Sequence, residues 1–226
     1  MDYVVLDLEW NQASDSRDAR NRLLTFEIIE IGAVKLNSRM EIVDTFEELI
    51  RPQVYDTMHH ITEKLIGIHM KDLSGCRTFD VVMKDFLAWC GEDFMFGTWG
   101  PQDLTELQKN MRFFGMEPLG KGPVRFYDIQ KLFSIAYEDQ KVRRSLEYAV
   151  DYLQIPKDIP FHRAISDAVY TARVFQMIKD PIALQRVSFD TFQLPENHRS
   201  EVHVVFDNYA KYISRPWNGR RYAHLP

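Results

Sequence analysis

Two acids stand two positions apart near the start of the chain, Asp7 and Glu9, in the run Tyr3-Val4-Val5-Leu6-Asp7-Leu8-Glu9-Trp10. Alternate residues of a strand point to the same face, so an extended chain here projects both carboxylates together. Val4, Val5, Leu6 and Leu8 mark the strand as buried, and buried acids are costly unless something positive meets them. A divalent cation such as Mg²⁺ or Mn²⁺ meets that demand through oxygen ligands. A solvated strand end pairing with Arg or Lys meets it as well. A third acid, Asp103, opens a helix after the apolar run 95–99, where a carboxylate also favours the helix macrodipole. The fourth, Asp167, follows His162 by five residues. An ideal helix turns by about 140° over that interval, so the two cannot share a helix face. Pro160 favours an extended path up to His162. The histidine therefore belongs to a loop, with a helix starting near 163–165 and Asp167 in its early turn. Such a histidine can swing over a site whose acid comes from the helix beneath it; a lone histidine before a helix is otherwise a surface residue.

These side chains need elements to hold them. The residue pattern predicts strands over Tyr3–Trp10, Phe26–Leu36 and Ile42–Ile50, a three-stranded meander that Pro52 ends. Residues 13–22 are polar and turn-prone and read as an exposed connection. A short helix is expected over Ile61–Ile68 with Thr62 as N-cap, then a helix over Phe79–Trp89 with Val82, Phe86 and Trp89 on one stripe. A strand over Asp93–Trp99 leads into a helix over Pro101–Phe114, and a strand over Val124–Ile129 follows. Helices over Gln130–Tyr137, Ser145–Leu153 and Ile165–Ile178 complete the pattern, with Ser145 as an N-cap. In the last of these, Ala168, Thr171 and Ala172, with Ala164 just before it, allow close approach to a sheet. Strands first and alternating helices and strands afterwards indicate an α/β domain with a mixed sheet over residues 1–180. Residues 181–226 read as a C-terminal extension that packs on the domain or serves a partner. Within it, Val202–Phe206 is strand-like and 215–221 is basic and turn-rich.

The whole chain sets bounds on function. Its 226 residues, 45% hydrophobic and 27% charged, suit one domain with a modest extension. Two cysteines, Cys76 and Cys90, are too few for a disulfide framework or a zinc site. A net charge of −5 argues against a protein that coats long nucleic acid, and leaves open one that grips a strand end. No apolar run has the length of a membrane span, and the first residues read as a strand and not a signal peptide. A cytoplasmic location is the expectation.

In order along the chain, Asp7-Leu8-Glu9, Trp99-Gly100-Pro101-Gln102-Asp103 and His162-Arg163-Ala164-Ile165-Ser166-Asp167-Ala168 resemble the three motifs of the DEDDh exonucleases of the RNase T and DnaQ-like class. Ile29-Glu30-Ile31-Gly32-Ala33-Val34, Ile61-Thr62 with Leu65-Ile66-Gly67-Ile68, and Ser145-Leu146-Glu147-Tyr148 resemble the flanking segments, so the likeness covers roughly residues 3–178. It implies an RNase H-like mixed β-sheet flanked by helices. It implies two divalent metal ions, Mg²⁺ or Mn²⁺, on Asp7, Glu9, Asp103 and Asp167, and His162 as general base. Four carboxylates and two Mg²⁺ balance in charge, and histidine as a class titrates near neutrality. The resemblance is greatest to the branch that trims RNA 3′ ends, giving hydrolysis from a single-stranded nucleic-acid 3′ end, with RNA preferred and DNA possible. A DNA exonuclease of the proofreading or repair kind and a non-catalytic nucleic-acid-binding protein are the alternatives. Trp10, Leu65 and Ile66 are candidate contacts to the terminal nucleotide, each also suited to core packing. Arg17, Arg20 and Arg22 either reach phosphates or decorate a solvated loop.

Overall fold

The structure, a computed structural model, describes residues 1–15, 17, 18, 20, 23–120, 124–139 and 141–178, together with the backbone of 190–193 and 203–206. The strands are β1 Asp2–Asn11, β2 Glu27–Leu36, β3 Ile42–Leu49, β4 Phe94–Thr98, β5 Val124–Asp128, β6 Asp190–Gln193 and β7 His203–Phe206. They form one mixed sheet in the order β3-β2-β1-β4-β5-β6-β7. β1 runs antiparallel to β2 and parallel to β4, and β4 is parallel to β5. β6 and β7 continue the sheet in antiparallel pairs beyond β5. The rest of 179–226, including the basic stretch 215–221, lies outside the described residues.

Alternation along β1 sends its residues to two cores. Val4, Leu6 and Leu8 pack with α3 (Phe79–Cys90) and α4 (Gln102–Phe113) through Phe79, Val82, Phe86, Leu104 and Leu107. Val5 and Val34 pack on the opposite face with α5 (Ile129–Tyr137), α6 (Leu146–Tyr152) and α7 (Ala164–Ile178). Asp7 and Glu9 continue the Val5 face of the strand, at the end where α7 begins. β4 pairs with β1 only from Asp2 to Val5, so the β4-facing edge of β1 is open where the acids stand.

A bulge at that end places the next helix. Glu9 pairs with Glu30 but Trp10 pairs with Ile28, which leaves Ile29 as the extra residue of β2. Ile29 is buried with Ile66, Ile68 and Leu73, and this small cluster seats α1 (His60–Ile66) and the four-residue α2 (Met70–Leu73) beside the end of β1. The cap of α1 differs from the sequence expectation. Its N-cap is His59, whose Nδ1 accepts the Ile61 N–H at 3.3 Å, while Thr62 lies inside the helix. Sequence preference favours Ser, Thr, Asp and Asn caps, and a histidine nitrogen performs the same task here. Ser145 does cap α6, accepting the Tyr148 N–H. α5 starts at Ile129, one residue earlier than the pattern suggests, because Asp128 ends β5 and caps the helix by accepting from Lys131 N at 2.9 Å.

α7 lies directly on β2. A Cβ at Gly32 would stand 2.1 Å from the backbone of both Ala164 and Ile165, so only glycine permits this contact. Gly32 is the register partner of Asp7. The helix start that carries Asp167 is thus seated beside the first acid by a missing side chain. Among the described residues no helix is long and apolar enough to cross a membrane. Cys90 is buried and Cys76 half-buried, and both are free thiols.

Gly32→Ala is expected to destabilise the fold by about 1–3 kcal/mol, because backbone and not a flexible side chain blocks the added methyl. Urea unfolding reads this as a lower midpoint. An unchanged midpoint would mean that α7 does not rest on β2.

Candidate active site

Asp7, Glu9 and Asp167 each bring a carboxylate oxygen to within 4.8 Å of the others. Asp103 is not one of this group of three; it comes to the adjoining edge of β1 from the opposite layer. It is buried in the first turn of α4, and its Oδ1 accepts the Leu8 N–H at 3.2 Å. That N–H lies on the open stretch of the β1 edge, so Asp103 replaces a missing strand partner while its charge acts on Asp7. Three separated segments therefore supply the four acids.

Their environment works against ionisation. Asp7 is pushed well above the usual carboxylate range, first by burial and then by the charges of Asp103, Glu9, Asp167 and Glu30. Burial raises Glu9 to about 8, with Glu30 the next cause. Asp103 is raised to about 7 by burial, against the opposing hydrogen bond from Leu8. Asp167 is raised to about 6, again by burial and against the hydrogen bond from the His162 backbone. The charges that act most on Asp7 are all negative. The nearby cation, Arg163, lowers Glu9 only as a lesser effect and is itself engaged by Glu30 and Glu47. An all-carboxylate donor set short of positive charge fits a hard divalent cation and not a thiolate- or imidazole-preferring metal.

His162 is exposed and lies in the loop before α7, with a left-handed backbone (φ 67°). Its N–H faces both Asp167 oxygens at 3.3 and 3.4 Å. The histidine and the acid five residues on are thus joined by the backbone of one and the side chain of the other, which leaves the imidazole of this exposed residue out of that link.

The remaining candidates separate. Trp10 is half-buried, with its ring 5.5 Å from that of Phe26 and packed on the core shared with α3 and α4. Leu65 is 51% exposed, whereas Ile66 is 6% exposed and turned into the cluster with Ile29. Helical geometry sends adjacent residues to different faces, and here Leu65 points outward and Ile66 inward. Ile61, 58% exposed, shares the outer face with Leu65 four residues on and was not singled out by the sequence pattern. Arg17 pairs with Asp15, while Arg20 pairs with Asp18 and Asp56 and donates to the Val54 carbonyl. Both are tied within the protein. Arg22 lies outside the described residues.

Glu30 and Arg163 were also missed as site residues. Glu30 is fully buried opposite Glu9 and pairs with Arg163 at 2.7 Å. The available signal was a charged residue inside the apolar run 28–34, since a buried acid is rarely unpaired.

Helices on both faces of a mixed sheet, with acids gathered at the end of its first strand, define an RNase H-like fold with a nuclease-type acidic centre. The chain belongs to the RNase T family of exonucleases, whose model matches residues 4–175. The DNA polymerase III PolC-type protein of Caldanaerobacter subterraneus subsp. tengcongensis is 27% identical over 174 residues, covering 77% of this chain and 11% of that protein. The 3′–5′ exoribonuclease 1 of Homo sapiens is 24% identical over 171 residues, covering 70% of this chain and 48% of that protein. This chain therefore spans about half or less of these relatives. The nuclease domain of 3′hExo, a DEDDh family member bound to rAMP, superposes with a TM-score of 0.66 at 22% identity, covering 82% of this chain and 92% of that one. At that identity the likeness is one of fold.

The raised acids dictate a pH response. Between the ordinary carboxylate range and about pH 8, the folded metal-free protein holds protons that the unfolded chain has released. Its stability therefore falls as pH rises through that window. Metal-free melting temperature is expected to drop from pH 5 to pH 8, and millimolar Mn²⁺ to raise it more at pH 8 than at pH 5. Calorimetry with and without chelator checks both. A metal-free melting temperature that climbs with pH would contradict the crowded cluster.

Proposed function

We propose that this protein is a divalent-metal-dependent 3′–5′ exonuclease acting on the end of a single strand, with RNA or short oligonucleotides as substrate. The observation that carries the reading is the close group Asp7, Glu9 and Asp167, with Asp103 at the edge of the same strand and the exposed His162 bonded through its backbone to Asp167. Asp7, Glu9, Asp103 and Asp167 would hold the cations, Mg²⁺ or Mn²⁺, which when bound neutralise the cluster and stabilise charge developing on the phosphodiester. His162, the general base in this reading, would take a proton from the attacking water at its imidazole. The Asp167–His162 backbone link keeps base and acid in register. Leu65, together with Ile61, offers an apolar face to the terminal base, and Trp10, half-buried against the α3 and α4 core, adds its exposed part at the strand end. Ile66 supports that face from below by anchoring α1.

RNA is favoured by the likeness to an exoribonuclease and to a fold neighbour bound to rAMP. A DNA substrate is the second reading, favoured by the likeness to the DNA polymerase III PolC-type protein. The C-terminal residues 181–226 serve in this proposal as an extension of the domain, beginning with β6 and β7 on the far side of β5 from β4.

End-labelled RNA and DNA of matched sequence separate the two substrates. Stepwise shortening from the 3′ end is expected with Mg²⁺ or Mn²⁺, with none in chelator. Asp7→Ala should reduce hydrolysis to background, and persistence of full activity in that variant would defeat the mechanism. His162→Ala should slow turnover by about 10²–10⁴-fold while the Mn²⁺-induced rise in melting temperature survives. Loss of both together would make the histidine a ligand or a structural residue.

A further inference from the structure

A left-handed backbone at a residue bearing a Cβ persists only where its surroundings over-determine it. His162 is such a residue, and the side chain that follows it reaches from the loop into the sheet. Arg163 Nε donates to Glu30 Oε1 at 2.9 Å, and its Nη2 lies 2.7 Å from the same oxygen and 3.3 Å from Glu47 Oε1. The other oxygen of Glu30 accepts the Ala164 N–H at 3.4 Å. Glu30 stands on β2 and Glu47 on β3, so the guanidinium ties the loop to two strands. Arg163 is a third exposed and Glu30 fully buried, which keeps one end of the tie out of solvent competition.

We propose that Arg163 is the positioning residue for His162: its fork on Glu30 and Glu47 holds the loop so that the imidazole stands over the acids. This rests on the reading of His162 as the base. Asp167 has separate support, because Ala168, Tyr170, Ala172 and Phe175 bury α7 and Gly32 seats its start. Losing the fork therefore moves the base and spares the cation ligands. Lysine at this position keeps the charge without the planar fork.

The test pairs Arg163→Met with Glu30→Gln, so that no buried charge is stranded and the new amide oxygen can still accept from Ala164. With Mn²⁺ and end-labelled oligonucleotide, kcat should fall by about 10–100-fold, a fraction of what a general base supplies, with little change in KM. The Mn²⁺-induced melting shift should survive. In a His162→Ala background the same pair of substitutions should cost nothing further, because the fork then has no base to place. An equal loss in both backgrounds would overturn the proposal. Arg163→Lys should recover part of the activity. Hydrogen exchange of the metal-free protein supplies a reading independent of catalysis. Residues 161–164 should exchange about tenfold faster in the double variant, with 168–176 unchanged, and unaltered exchange at 161–164 would overturn the fork. A wild-type protein without any hydrolysis would sink the exonuclease reading, while the exchange result would still judge the fork.

Discussion

Carboxylates gathered at one half-buried site repel one another, and the architecture around β1 follows from managing that repulsion. Each acid is handled differently. Asp103 receives the Leu8 N–H, Asp167 receives the His162 N–H, and Glu30 is neutralised by Arg163. Asp7 sits where these fields overlap, and what acts on it most is burial and negative charge. A half-buried pocket that holds more negative charge than Arg163 offsets is a pocket shaped for an external cation. The fold is thus held together around a centre that is electrostatically incomplete by itself, and the shortage grows as pH rises to about 8 and the acids lose the protons they hold.

Backbone geometry keeps that centre compact. β4 stops pairing with β1 at Val5, which opens the strand edge for Asp103 to enter from the α4 layer. On the other face, the absence of a side chain at Gly32 lets α7 press its first turn against β2. The two layers would otherwise stand a full sheet-to-helix spacing apart. The bulge at Ile29 does a third job, turning one extra residue toward α1 and seating that helix at the end of β1.

Membership in the exonuclease family and the RNase H-like fold agree with this arrangement, and they sharpen what is particular to the chain. A likeness of about a quarter in identity, with a family match over residues 4–175, shows the family. It does not by itself say why a histidine with positive φ stays in place. That answer lies in local contacts: a hydrogen bond to Asp167 on one side and an arginine fork on the other.

Much of the local structure was legible beforehand because it depends on short-range rules. Apolar, β-rich runs marked β1, β2 and β3, a helical stripe marked α3, small residues marked α7 as a helix close to the sheet, and motif order along the chain singled out the four acids and His162. The cap of α1 and the four-residue α2 were less legible, since His59 is an uncommon cap and one turn of helix has too little periodicity to register. Neighbouring apolar residues such as Leu65 and Ile66 looked equivalent in sequence; only the packing of Ile66 on a bulged Ile29 told them apart. Glu30, Arg163 and Gly32 gained their meaning from register and from helix-on-sheet contact, which join residues more than a hundred positions apart. The amino-acid sequence by itself determined which side chains carry charge and which segments alternate. The tertiary structure decided which of those charges come together at one partly buried site, because Coulomb energy and burial depend on distance in space and not on distance along the chain.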